Sequence, residues 1–349
     1  MTMLKIYLIR FKTPYHVGWR KPRKIIDHIT VLRALLNISF TLGIRKVPEE
    51  IVNGAVKSSA ILPTAKIDGK LRLLAPFPPM PSMIKLSKLG VKWITLESLK
   101  SLAKASTECL MKKGLPIVDS IVDNELTIKC IINSREDDVL KLKVLKKTDG
   151  GVSGIVDLNY GDVERDVEIS PAIEYHNRID RVTGASDIYV LRGWKTTTPF
   201  WLAFKLSDNV SSKMDLLLKV LMEIGIGGYR SRGWGLFEML HETHVHEGDL
   251  EVLRTSSEWL ANTYNILLGT MLFEGEISFK ESYIIPYRVE GKSGPSYAEY
   301  DLEVMSVADV GSMVYVVKKP THKIIEHNSG VHRAFTVFNP IVINGGVQT

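Results

Sequence analysis

Cysteine is nearly absent from this chain: Cys109 and Cys130 are the only two in 349 residues. Two thiols supply neither a disulfide framework nor a four-thiolate zinc site, so a reducing cytoplasm is the expected compartment. No apolar run approaches the roughly eighteen residues of a membrane span, so no membrane partner is expected. The opening residues Met1 to Ile6 lack the long apolar run of a signal peptide. Charge of either sign is not in large excess: 45 Lys and Arg face 39 Asp and Glu, a net charge of +6. That balance permits a nucleic-acid partner without requiring one. The usual catalytic and metal signatures are missing too. His241, His244 and His246 gather around Glu242, but H-E-x-H does not set two imidazoles on one helical face, and on a strand His244 and His246 lack a third ligand. Gly291-Lys292-Ser293 ends like a phosphate loop, yet Pro286 stands where its first glycine belongs. No G-x-S-x-G elbow occurs. No metal, cofactor or catalytic residue is expected.

What is present reads as an ordinary globular chain, 45% hydrophobic and 24% charged, long enough for two domains. Residues 3–11 alternate as a strand, and a basic loop runs from Lys12 to Lys24. Asp27 is placed to cap a helix whose apolar face is Leu32, Leu35, Leu36 and Phe40, ended by Gly43. The stretch at about 48–165 contains the proline-rich run 76–81 and short apolar pieces such as Leu126–Ile132 and Leu140–Leu145. It reads as an insertion outside the core. Residues 185–192 and 199–206 follow as strands. A helix starting at Ser211 and Ser212 buries Leu216, Leu217, Val220, Leu221 and Ile224 and ends at Gly225. Gly235–Leu240 is a last strand. The order is β, α, insertion, β, β, α, β, the ferredoxin-like order. Segments such as Ser282–Arg288, Met313–Val317 and Ala334–Ile343 suggest a second, mostly β domain. Thr255 and Glu258 can cap a helix near 256–268, part of which reads equally as strand. The expected fold is therefore α+β: a ferredoxin-like (RRM-like) domain over 1–245 with the insertion, and a β-rich, degenerate ferredoxin-like domain over 246–349.

Three segments carry the chemistry. Gly225–Gly235 holds five glycines and two arginines in eleven residues. It follows a helix and precedes a strand, which excludes a dinucleotide fingerprint. Glycine lets the backbone approach a ligand, and free N–H groups with Arg230 and Arg232 suit phosphate oxygens. A tight helix-to-strand turn with solvent-facing arginines uses the same residues. The string His176-Asn177-Arg178-Ile179-Asp180-Arg181 is dense in donors; Asp180 can hold one arginine and leave the other for phosphate, or the whole can be a salt-bridged loop. The Lys12–Lys24 loop sets Arg20, Lys21, Arg23 and Lys24 beside His16 and Trp19, a mixture that fits backbone contact with base stacking or merely a solvated charge run.

These segments, with Pro14-Tyr15-His16-Val17-Gly18 after the first strand and the order of elements, resemble the RAMP superfamily of CRISPR proteins. The hallmark of that superfamily is a ferredoxin-like domain with a glycine-rich loop between its second helix and last strand. More narrowly, Ile284–Arg288 with Gly291, Gly311–Tyr315 and Phe338-Asn339-Pro340 are similar to segments of the type III-A (Csm) subunit that caps the complex at the crRNA 5′ end. The resemblance implies a non-catalytic subunit that holds the 5′ handle of the guide RNA and docks on the large polymerase-like subunit and on a backbone RAMP subunit. The RNA-binding residues it implies are Gly227, Gly228, Arg230, Ser231, Arg232, His176, Asn177, Arg178 and Arg181, to which the basic loop adds Arg20, Lys21 and Arg23. His176–Arg181 can instead organise a hairpin that wedges between bases, and Tyr229, Trp234 or Trp19 can stack on them. The alternatives are a RAMP endoribonuclease processing crRNA precursor with His16 or His28 as base, or a target-cleaving backbone subunit using Asp27 or Asp137. The first is disfavoured by the hundred residues that follow the glycine loop, the second by the length of the chain.

Overall fold

The structure, a computed structural model, describes residues 2–18, 21–84, 90–179, 182–241, 244–291, 301–328 and 333–346. The chain opens with strand β1 (Thr2–Phe11) and helix α1 (His28–Thr41). Asp27 caps α1 as expected, its carboxylate accepting from the Thr30 N–H at 2.7 Å. The helix ends where Gly43 turns to φ 68°. Then come α2 (Lys46–Val52), β2 (Lys57–Ser58), β3 (Leu62–Ile67), β4 (Lys70–Pro76), β5 (Trp93–Thr95) and α3 (Leu96–Met111). A meander of β6 (Leu115–Val122), β7 (Glu125–Ile132), β8 (Arg135–Lys147) and β9 (Val152–Asp157) leads to β10 (Asp162–Arg165). After β11 (Ile169–Ile179) and β12 (Ser186–Thr196) come β13 (Phe200–Ser207), α4 (Asp208–Ile224) and β14 (Phe237–Leu240). The last part holds α5 (Glu247–Thr255), β15 (Thr263–Leu267), β16 (Ile277–Tyr283), β17 (Pro286–Val289), β18 (Met305–Ala308), β19 (Met313–Val316), β20 (Lys323–Asn328), β21 (Arg333–Phe338) and β22 (Val342–Asn344).

The main sheet runs β14-β1-β13-β3-β4-β5-β9-β8-β7-β6, with β2 pairing onto β13. Its first strands, with α1 and α4, form the ferredoxin-like unit in spatial order 4-1-3-2. The fold class is thus the expected α+β. Four details differ from the sequence reading. Residues 186–192 are strand as expected, but β12 forms a two-stranded sheet with β11 and stays off the main sheet. The second ferredoxin strand comes instead from β2 and β3, inside the stretch read as an insertion. That stretch is not outside the core either. Leu71, Leu99, Leu126 and Val156 share one buried cluster with Trp201, Leu253, Ile266 and Met313. The reason is two-sided burial: β3 is covered on both faces, so it shows no alternation to read. The capped helix expected at 256–268 is also displaced. The helix is α5, earlier in the chain, and 263–267 is a wholly buried strand.

Buried polar contacts tie the layers together. Arg72 on β4 is almost fully buried and binds Asp157 at the end of β9, Asp249 of α5 at 2.8 Å and Glu97 of α3 at 3.4 Å. The two cysteines form one disulfide, joining α3 to β7. Gly114 makes room for it, since a Cβ there would strike both sulfurs. Among the described residues no helix is long and apolar enough to cross a membrane.

Candidate nucleic-acid interface

The glycine-rich loop starts where α4 ends, at Gly225 with φ 84° and its N–H on the Leu221 carbonyl at 2.8 Å. The segment folds back on itself: the Ile226 N–H meets the Gly235 carbonyl at 3.0 Å. Gly225 and Gly235 both have positive φ, and a Cβ on either would strike the backbone of the opposite limb. Between them Tyr229 takes the left-handed conformation, Arg230–Arg232 makes one 3₁₀ turn, and Gly233 is left-handed again. The loop rests on residues 14–16. The Gly228 N–H donates to the His16 carbonyl and the Gly235 N–H to the Pro14 carbonyl, both at 2.7 Å. The backbone donors of Gly225, Ile226, Gly228, Arg232, Gly233 and Gly235 are therefore already satisfied within the chain. The glycines bring the loop close to its own protein, and the Arg232 side chain is exposed, with Arg230 partly so.

Beside the loop stands the ribbon of β11 and β12, paired His176↔Tyr189, Glu174↔Leu191 and Ala172↔Gly193. These pairs share one face, as opposed residues do, and that face meets the loop. Ala172, Leu191 and Trp234 form a small buried cluster. Glu174 Oε2 accepts from Trp234 Nε1 at 3.1 Å and lies 3.2 Å from His176 Nε2. The His176 ring stacks on Tyr189, centroids 5.5 Å apart, and the Arg232 guanidinium lies 5.7 Å from the same tyrosine ring. Gly193 is needed because a Cβ would meet the Tyr15 carbonyl and the Trp234 ring. The ribbon base is fixed by Tyr15 and Trp194, which exchange two backbone hydrogen bonds of 2.9 Å. His16 packs on Tyr229 with ring centroids 4.6 Å apart, and its Nδ1–H donates to the Arg192 carbonyl at 2.6 Å. The opposite ribbon face is open and apolar: Ile173, Tyr175, Ile179 and Ile188 are each more than half exposed.

The structure thus brings together Gly227, Gly228, Arg230, Ser231, Arg232 and His176, with Asn177 and Arg178 exposed further along the ribbon. His176–Ile179 belong to strand β11, where the sequence reading had a loop. No described carboxylate pairs with Arg178, Arg192, Arg230 or Arg232. Lys21 is exposed, and Lys24 lies over the Trp194 ring at 4.8 Å. Arg20 and Arg181, like Trp19 and Asp180, fall outside the described residues. Arg23 departs from expectation. It turns inward, binding Asp27 at 3.0 Å and Asp309 at 2.5 Å while stacking on Tyr287 at 3.9 Å. Burial alone would lower its pKa; the two carboxylates outweigh that and hold it above the ordinary arginine value. Arg23 is a joint between the two ends of the chain, because its charge is already neutralised. Trp234, expected as a stacking surface, is 1% exposed and packs beneath the ribbon. His28 is sealed at 0% exposure. Glu174, Tyr189, Arg192 and Gly193 were missed. The period-two alternation of 172–178 against 187–193 carries the signal, once the two runs are recognised as one ribbon.

No protein-family model and no curated protein matches the sequence. Solved structures do match. Over 98% of this chain and 99% of the other, the structure is similar to a chain of the Csm3-Csm4 subcomplex in the type III-A CRISPR-Cas interference complex, at TM-score 0.51 and 15% identity. This chain shares that subunit's fold. A chain of the type III-B Cmr-beta complex bound to cognate target RNA and AMPPnP is also similar, with TM-score 0.46, 12% identity, and 89% and 86% of the two chains covered. The likeness to the first spans essentially the whole length of both chains, so it takes in the segment 48–165 and the last hundred residues as well as the ferredoxin-like unit.

Proposed function

We propose that this chain is a non-catalytic, RNA-binding subunit of a type III CRISPR interference complex. It holds the 5′ handle of the guide RNA and docks on the large subunit and a backbone subunit. The observation that carries the reading is the convergence of the glycine loop and the ribbon on one face, where Arg178, Arg230 and Arg232 have no carboxylate partner among the described residues. Guanidinium groups without a carboxylate suit phosphate oxygens. The open apolar face with Tyr175 and Ile173 suits splayed bases. The shared fold with a subunit of an interference complex supports the assignment to that class of assembly.

The role is holding and not cutting. Of the two imidazoles considered as a base, His28 is buried under Thr270, whose N–H donates to its Nδ1 at 3.1 Å. His16 has its Nδ1 held by the Arg192 carbonyl. Metal-free incubation with repeat RNA is expected to yield no specific product; cleavage lost in His16→Ala would reverse this assignment.

The binding test is a filter-binding titration across salt concentrations. Arg230→Ala with Arg232→Ala is expected to weaken guide binding tenfold or more, since charge-assisted hydrogen bonds contribute about 1.5–3 kcal/mol each. The slope of log affinity against log salt should fall by roughly 0.7 per phosphate contact removed. An unchanged slope would count against phosphate recognition by this loop.

A further inference from the structure

Glu174 is an acidic side chain at the join between two halves of a basic face. Trp234 belongs to the glycine loop, Glu174 and His176 to β11, Tyr189 to β12. The contacts run in a circuit: Trp234 Nε1 donates to Glu174 Oε2 at 3.1 Å, the same oxygen lies 3.2 Å from His176 Nε2, His176 stacks on Tyr189, and Tyr189 faces Arg232 of the loop. Trp234 is 1% exposed, and Glu174 is the acceptor that its indole N–H uses.

We propose that Glu174 is the latch that holds the ribbon against the glycine loop, a positioning residue for RNA binding that acts in spite of its charge. This rests on the RNA-binding reading given above. Coulomb's law alone makes the opposite demand. A carboxylate beside phosphates repels them, so any variant that removes its charge should bind RNA more tightly. The latch separates two such variants. In Glu174→Gln the amide oxygen, placed where Oε2 stands, still accepts from Trp234 Nε1 and faces His176 Nε2, while the charge is lost. In Glu174→Ala the charge and the hydrogen bonds go together.

The experiment compares both variants with the full-length protein, using single-stranded RNA of guide length at one salt concentration. Glu174→Gln is expected to bind as tightly as the wild type or a few-fold more tightly, and Glu174→Ala about tenfold more weakly. The salt slope should stay constant in both, because no phosphate contact is removed. Amide hydrogen exchange gives a second reading without RNA. Residues 169–179 and 186–196 should exchange faster in Glu174→Ala and at the wild-type rate in Glu174→Gln. Trp234→Phe removes the same hydrogen bond from the other side while keeping an aromatic ring. It should weaken binding alone and add nothing on top of Glu174→Ala; it also serves if the alanine variant fails to fold. Alanine and glutamine variants that bind equally well, with ribbon exchange unchanged, would overturn the latch. A wild type that binds no RNA would overturn the RNA-binding reading alone, and the exchange data would then decide the latch by themselves.

Discussion

His28 sits at the start of α1 with no exposed surface, accepting a hydrogen bond from the Thr270 N–H. Burial pushes its pKa down to about 4, against the opposing pull of Asp27. The folded imidazole therefore stays neutral where an unfolded one, with a pKa of about 6.5, takes up a proton. Protonation favours the unfolded chain. The contribution is fully present above about pH 6.5 and is lost as the pH falls toward 4. At about 1.36 kcal/mol per unit of pKa difference, it is on the order of 3 kcal/mol. Denaturant titrations at pH 7, 5.5 and 4.5 should show stability falling through this window, and His28→Gln should flatten that slope. An equal slope in the variant would place the titration elsewhere. Other residues show how local the distinction between scaffold and site is. Arg23 and Arg232 both lie in short basic, aromatic stretches, and nothing near Arg23 in sequence announces Asp309, which neutralises it. Trp234 likewise reads as an aromatic in a glycine loop, and only the ribbon that covers it makes it core.

At the scale of elements, α3 and β7 are joined by Cys109–Cys130 across a sequence separation of 21. A cross-link over a loop of that length stabilises by about 3 kcal/mol, chiefly by restricting the unfolded chain. Thermal unfolding with and without a thiol reductant tests this. The wild type should lose several degrees on reduction, and a Cys109→Ser, Cys130→Ser double variant should match the reduced protein and ignore the reductant. A wild type indifferent to reductant would show that the bridge does not form in solution. The bridge was invisible beforehand because its existence depends on α3 packing across the meander, which cysteine counting does not reveal. The elements that were legible share a property: one buried face, one wet face and a cap. α1 with Asp27 and α4 ending at Gly225 follow the pattern. Those that were not legible lack it. β3 and β15 are buried on both faces and give no alternation, so one was lost in an insertion and the other was left open between helix and strand. β12 was found as a strand but assigned to the wrong sheet, since period two fixes a strand and not its partner.

At the scale of the whole molecule, the boundary drawn near residue 245 from the return of β-rich sequence runs through continuous packing. One buried cluster holds Leu73, Leu99 and Leu102 together with Leu253, Tyr264, Leu268, Ile341 and Ile343. Arg72 and Asp249 lie on opposite sides of that point and form a buried ion pair, and Arg23 and Asp309 form another. Removing residues 246–349 would leave Arg72 and Arg23 each short of a carboxylate and would open the apolar face of α3. Breaking a buried pair by deleting one partner costs about 3–5 kcal/mol, comparable to half the stability of a typical domain. Two such losses with a bared core exceed what the first 245 residues can offset. The full chain is therefore expected to unfold in a single transition, with calorimetric and van't Hoff enthalpies in agreement. The fragment 1–245 is expected to be insoluble or molten alone and to regain native circular dichroism when co-expressed with 246–349. A fragment that folds alone with a sharp melt, or two resolved transitions in the full chain, would show instead that the ferredoxin-like unit is independent. In that case the Arg23 and Arg72 pairs would be contacts between two finished domains. The single-unit outcome has a consequence for the site: the ribbon and glycine loop, built on β13 and α4, would inherit their rigidity from residues more than a hundred positions further along the chain.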